Sequence, residues 1–184
     1  GRSFPIRLDA RRAATPPPHA DALIVGAGIT GLLTAIRLRE QGRSVVVLEA
    51  RNIGNSQSGR NLGFIREQGR EAVEAVVMHY AARRWRELAH EHGGRMGWTQ
   101  GGHLSLAGTE EDLERVASWS GIAAAIGTRF EVLGPDALRQ RAPWIAPGFA
   151  GAGFTPDDAH VDPARAVGAV AELARRAGVD VIEG

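Results

Sequence analysis

The segment that most constrains this chain is Gly26-Ala27-Gly28-Ile29-Thr30-Gly31. It follows a short apolar run, Ala22 to Val25. It opens a stretch in which Leu32, Leu33, Ile36 and Leu38 recur at near-helical spacing until Gly42. Val45 to Leu48 is a second run of the buried-strand type, closed by Glu49. Strand, helix and strand in so short a span predict a βαβ unit with a right-handed crossover. Within it the glycines have separate tasks. Gly26 allows the turn off the strand, Gly28 lets backbone approach a pyrophosphate, and Gly31 lets the helix lie close on the sheet. The helix N-terminus, with Ala27, Ile29 and Thr30 around it, turns free N–H groups and a positive dipole end toward phosphates. Glu49, followed by Ala50, stands at the end of the second strand, where a carboxylate can hold ribose hydroxyls. A carboxylate there disfavours a 2′-phosphate, so NADP is the least suited dinucleotide, whereas FAD and NAD both fit the fingerprint.

Composition narrows the remaining choices. The 184 residues carry 22 basic against 21 acidic side chains, a net charge of +1, and every basic one of the 22 is arginine. That balance asks for neither nucleic acid nor an anionic membrane. The absence of cysteine excludes a disulfide scaffold, an iron–sulfur site and a cysteine nucleophile within this stretch. No apolar run reaches the roughly 20 residues of a membrane-crossing helix, and a cytoplasmic location is the default expectation. Residues 1–20 contain Arg11-Arg12 and Pro16-Pro17-Pro18 without an apolar signal core, and read as a loose extension ahead of the folded part. The chain begins with Gly rather than Met, as a fragment would.

Further along, Ala50 to Gly69 lacks a sustained period and reads as a long loop, of the kind usually functional or mobile. Glu71 to His92 reads as a helix with Val73, Val76, Val77, Tyr80, Trp85 and Leu88 on its apolar face. His103 to Ala107 alternates as a strand, and Thr109 before Glu110-Glu111-Asp112 reads as an N-cap opening a helix to about Ile126. Arg129 to Leu133 is strand-like, Pro135 to Arg141 a short helix, and Phe149 to Thr155 another strand. Asp162-Pro163 sets a cap and a favoured first helical residue for a helix to Arg176, with a strand at Val179 to Ile182. The expectation is a three-layer α/β dinucleotide domain interrupted by an antiparallel α+β insertion.

Later segments carry a more particular resemblance. Ser56-Gln57-Ser58-Gly59-Arg60-Asn61-Leu62-Gly63-Phe64-Ile65-Arg66 resembles the flavin loop of the FAD-dependent D-amino acid oxidase superfamily, which includes glycine oxidase, sarcosine oxidase and the opine oxidase β subunits. Glu49-Ala50-Arg51-Asn52-Ile53-Gly54 with Ser58 to Phe64 looks closest to the opine oxidase β subunits. Gly101 to Ala107, Leu133 to Pro143 and Val161-Asp162-Pro163 resemble, in order, the family's first substrate-domain strand, its short helix and the step back into the flavin domain.

The resemblance implies a Rossmann-like FAD-binding βαβ domain with an inserted α+β substrate region and the carboxy-terminal half absent. The expected organisation is an extension (1–20), an FAD-binding βαβ and flavin loop (21–69), an inserted substrate part (70–160) and a return helix and strand (161–184). It places Arg51, Ser58, Gly59, Arg60 and Asn61 beside the flavin ring and pyrophosphate, with Arg60 forking onto the pyrophosphate. It implies non-covalent FAD, because no cysteine is present and Arg60-Asn61 stand where some relatives carry a flavin-linked histidine. Arg66 would hold a substrate carboxylate, an ordinary salt bridge to Glu67 or Glu71 being the competing reading.

The implied activity is oxidation of the C–N bond of an amino acid or N-substituted amino acid of opine, glycine or sarcosine type, with hydride passing from the α-carbon to flavin N5. No catalytic acid or base is assigned. An NAD-binding dehydrogenase fragment or a non-catalytic nucleotide-binding module is the alternative. A small-molecule substrate is implied, and a partner subunit if the chain is opine-oxidase-like. The chain alone is expected to hold FAD weakly, to turn over poorly and to associate.

Other clusters imply little. His90-Glu91-His92 has diverging i,i+2 spacing, and Asp157, Asp158, His160 and Asp162 read as a solvated loop with a helix cap, so no metal is assigned. Trp85, Trp98, Trp119 and Trp144 read as packing residues.

Overall fold

The computed structural model describes residues 16–184, so most of the expected extension lies outside the described residues. In chain order the elements begin with β1 (Ala22–Val25), α1 (Ile29–Glu40), β2 (Val45–Glu49), β3 (Phe64–Ile65), α2 (Ala72–His92), β4 (His103–Ala107) and α3 (Glu110–Ala117). They continue with α4 (Ser120–Ile126), β5 (Glu131–Leu133), α5 (Pro135–Arg141), β6 (Gly151–Thr155), β7 (Ala159–His160), α6 (Pro163–Arg176) and β8 (Asp180–Glu183). Two compact units result. One takes residues 16–63, 92–97 and 161–184, the other 64–91 and 98–160. The division after the second strand falls at 63/64 rather than 69/70, because β3 is not loop: it pairs antiparallel with β7 in the second unit.

The first unit is built on a parallel sheet in the order β1-β2-β8. Leu23 lies opposite Val46, Val25 opposite Leu48, and Val47 opposite Val181. The apolar run Val45-Val46-Val47 is buried because β2 is the central strand. β1 departs from the buried strand expected. Among the described residues it lies at the edge of the sheet, and Leu23 and Val25 are 62% and 84% exposed. α1 and α6 touch each other, as right-handed crossovers between strands added in one direction require. They share one face of the sheet, so these elements make two layers rather than three. α6 starts as its sequence dictates: Asp162 accepts the Arg165 N–H at 3.0 Å, and Pro163 occupies the first turn. Ala166, Val167, Val170, Ala171 and Ala174 form its buried stripe. Arg39 Nε donates to the Ala177 carbonyl at 3.0 Å, tying the ends of the two helices.

The second unit holds an antiparallel sheet in the order β4-β6-β5. β6 lies in the middle and is buried throughout, packed by α3 and α5. α3 carries a full capping box. Thr109 Oγ1 accepts the Asp112 N–H at 3.1 Å, and Asp112 Oδ2 accepts the Thr109 N–H at 3.2 Å. Thr109→Ala is expected to cost about 1 kcal/mol of stability, read as a lower urea midpoint with an unchanged slope.

The helix expected to continue to Ile126 breaks after Ala117, where Ser118 Oγ donates back to the Arg115 carbonyl at 2.7 Å. Trp119 is buried there, its Nε1 donating to the Arg70 carbonyl at 2.9 Å and its ring meeting Phe130 edge-on. Trp144, by contrast, is 79% exposed and is no packing residue. The apolar face assigned to α2 also needs correction: Val73, Val76, Val77 and Tyr80 are exposed, and the buried seam is Ala75, Ala82 and Ala89. Alanines repeating every seven residues give a narrow seam that neighbours approach closely, and hydropathy alone ranks the valines above them.

Candidate functional site

In the first unit the chain leaves β1 through Gly26, whose φ of +103° suits glycine. Its N–H donates to the Leu48 carbonyl at 2.7 Å, latching the turn to β2. A Cβ on Gly31 would sit 2.1 Å from the Gly26 carbonyl oxygen, so only glycine lets α1 begin this close to the turn. Gly28 is the helix N-cap and supplies no side-chain bond, and the first turn holds no acidic residue. The positive end of the helix is therefore left for an anion.

Two side chains close this turn. Glu49 accepts the Ala27 N–H through Oε2 and the Arg51 N–H through Oε1, both at 2.9 Å. Each oxygen keeps lone-pair capacity for a further donor. Ser58 Oγ accepts the Ile29 N–H at 3.0 Å, which brings the 56–61 loop onto the mouth of the helix. A Cβ on Gly28 would lie 2.9 Å from that hydroxyl. The surroundings fit a dinucleotide: a backbone cradle at the helix mouth, a carboxylate with spare acceptor sites and a hydroxyl on the first amide of α1. Gly54 N–H donates to the Ala27 carbonyl at 3.1 Å, and Ile53 N–H to Glu183 Oε1 at 2.8 Å.

Asn61 is spent on its own loop, its amide donating to the Gln57 and Ser58 carbonyls and its oxygen accepting the Gly63 N–H. Thr30, Ala50, Arg51, Gly59 and Arg60 are exposed.

A second set of groups gathers in the other unit, around a cavity of about 120 Å³ lined by Arg66, Phe64, His103, Asp158 and His160 among others. Phe64 meets the rings of His103 and His160 edge-on, at 6.3 and 5.8 Å between centroids. Among the described residues Arg66 makes no ion pair with Glu67 or Glu71. The Glu67 carboxylate is buried and committed elsewhere: Oε2 meets His79 Nδ1 at 2.7 Å and accepts from Thr128 Oγ1 at 2.5 Å, while Oε1 lies 3.8 Å from Arg86. Bonding to a carboxylate requires the proton on His79 Nδ1.

Asp158, expected in a solvated loop, is 1% exposed. Oδ1 accepts the Glu67 N–H at 2.9 Å, and Oδ2 is buried with no partner. Burial, with the charge of Glu67 adding to it, pushes its carboxyl up to about 6, while Arg66 and hydrogen bonds from the Glu67 and Gln68 backbone pull the other way. Burial first, and Arg66 second, lower the His103 pKa from its ordinary value. The sequence weighed Asp158 and His160 only as a metal cluster and did not single out His103, because their contacts with Phe64 and Glu67 join positions far apart in the chain and carry no period. Among the described residues no group of three His, Asp or Glu is suited to hold a metal ion, and no helix is long and apolar enough to cross a membrane.

Residues 21–184 match the family described as FAD dependent oxidoreductase. The chain belongs to that family. FAD is the family's cofactor, and the glycine turn with Glu49 is the part of the fold that fits it. The chain is similar to glycine oxidase of Bacillus licheniformis, 28% identical over 170 residues that cover 89% of this chain and 45% of that protein. It is similar also to human mitochondrial sarcosine dehydrogenase, 27% identical over 91% of this chain and 18% of that one. Among solved structures, L-amino acid deaminase from Proteus vulgaris superposes with a TM-score of 0.84 at 31% identity, covering 91% of this chain and 45% of its own. The chain thus spans less than half the length of these relatives.

Proposed function

We propose that this chain forms part of an FAD-dependent enzyme that oxidises the C–N bond of an amino acid or N-substituted amino acid. The observation that carries the reading is the cradle itself, in which Glu49 and Ser58 grip the Ala27 and Ile29 amides at the mouth of α1. The turn made by Gly26 and Gly31 would let the backbone at Gly28 meet the pyrophosphate, and Glu49 would take the ribose hydroxyls on its spare lone pairs. Arg60, exposed at the end of the 56–61 loop, is free to reach the pyrophosphate, and Arg66 would receive the substrate carboxylate. FAD, when bound, supplies the two-electron acceptor for hydride from the α-carbon.

Relatives named glycine oxidase, sarcosine dehydrogenase and L-amino acid deaminase support an amino or N-methylamino acid as substrate class. An opine, as in opine oxidases with their partner subunit, is the first compound to try. The test is direct. Equilibrium dialysis against FAD is expected to leave an excess of flavin absorbance on the protein side, and Glu49→Ala to weaken FAD binding by about tenfold or more. A protein that stays colourless and takes up NAD instead would defeat the proposal.

A further inference from the structure

Asp158 is bonded to the peptide group that follows Arg66. Its Oδ1 holds the N–H of Glu67, the peptide group joined directly to Arg66, so the bond limits how Arg66 can turn. Asp158 is itself held from several sides. Its carbonyl accepts the Gly102 N–H at 3.0 Å, its N–H donates to the Thr155 carbonyl at 3.4 Å, and the next two residues form β7, paired with Phe64 and Ile65. Arg66 and Asp158 line the same cavity. A carboxylate with one oxygen buried and unpartnered is costly to keep ionised, and Glu67 beside it adds a like charge. The groups facing it are Arg66 and Glu67 from the segment after β3, His103 from β4 and His160 from β7. His79 and Arg86 on α2 act through Glu67, and the neighbouring Asp157 is paired with Arg129.

We propose that Asp158 is a positioning residue for Arg66: its Oδ1 fixes the peptide from which the guanidinium enters the cavity, and its charge sets how strongly that guanidinium attracts a carboxylate. The inference rests on the reading of Arg66 as the carboxylate-binding group. Ionised, Asp158 offsets the arginine's charge; protonated, it leaves that charge to a ligand. Its raised pKa, about 6, brings this change close to neutrality.

The test uses the ¹⁵N-labelled 184-residue chain titrated with formate at constant ionic strength, following the Arg66 Nε–H and Glu67 amide resonances. Wild-type protein is expected to bind formate about fivefold more tightly at about pH 5 than at about pH 7.5. Asp158→Asn keeps the acceptor and loses the charge, so its affinity should match the wild-type acidic value at both pH values. Asp158→Ala loses the acceptor as well. Its Glu67 amide should exchange faster with solvent, and its formate affinity should lie about tenfold below that of Asp158→Asn at both pH values. A purely structural role would make the two variants alike. If the Ala variant does not fold, the wild-type and Asn profiles decide. A pH dependence that persists in the Asn variant overturns the inference while leaving Arg66 as the carboxylate group. No response at Arg66 in the wild type overturns both.

Discussion

Gly31→Ala is expected to unfold the first unit's dinucleotide turn or to loosen it beyond use. The added Cβ would lie 2.1 Å from the Gly26 carbonyl oxygen and 3.3 Å from Ile24 Cγ2. The first of these is backbone, held by the Gly26 N–H bond to Leu48, and cannot rotate away as a side-chain end would. Relief requires α1 to move off the sheet, which breaks the contacts of Leu32 and Ala35, both fully buried. A cost of about 3 kcal/mol or more is expected, seen as a large drop in the urea midpoint, together with loss of FAD binding by flavin fluorescence. Gly121→Ala is the control. It sits in α4 with open space where a Cβ would go, so it should be neutral or slightly stabilising. A Gly31→Ala protein within about 1 kcal/mol of wild type would show that the turn can yield, and the cradle argument would lose its basis.

Asp158 is expected to make the protein less stable as pH rises through weak acid, the reverse of the usual carboxylate. Its pKa is raised from 3.8 to about 6 by burial. Between those values the folded state keeps a proton that the unfolded chain has released. The folded state then binds more protons, and stability falls with rising pH until Asp158 ionises in both states. A shift of that size corresponds to about 3 kcal/mol, fully present below the unfolded value and lost above about pH 6. Asp21 and Asp112 are held low, chiefly by Ser44 and Thr109 respectively. Their contribution has the opposite sign and falls away at lower pH. Subtraction isolates Asp158: the stability of Asp158→Asn minus that of wild type should grow as pH rises from about 4 to about 6.5 and then level off. A flat difference across that range would mean that folding does not raise the pKa of Asp158.

The outcomes differ between the two units for a physical reason. Gly26, Gly28, Gly31 and Glu49 were legible because their signal is local. A glycine turn between a strand and a helix, and an acid at the next strand's end, depend on backbone geometry within one βαβ span. The helix starts at Thr109 and Asp162 were legible on the same ground, since a cap and its partner lie three residues apart. Ser58 was placed beside the cofactor by resemblance alone, because its bond to the Ile29 amide joins positions 29 residues apart and follows only once the loop folds back. The valines of α2 show the limit of hydropathy. They have the spacing of a buried face, yet the close approach that selects Ala75, Ala82 and Ala89 is a property of the neighbours.

By itself, then, the sequence determined where the glycine turn between the first strand and helix lies, which acid stands beside it, that the strands of the first sheet run parallel, and that an antiparallel region interrupts them. Only the tertiary structure decided that β1 lies at the sheet edge among the described residues, that β3 and β7 meet, and that Asp158 is buried against the Glu67 amide, 91 residues away in sequence. Contacts of that range carry no periodicity, because their partners are chosen by chain topology. The burial that alters the ionisation of Asp158 exists only after the second unit has packed.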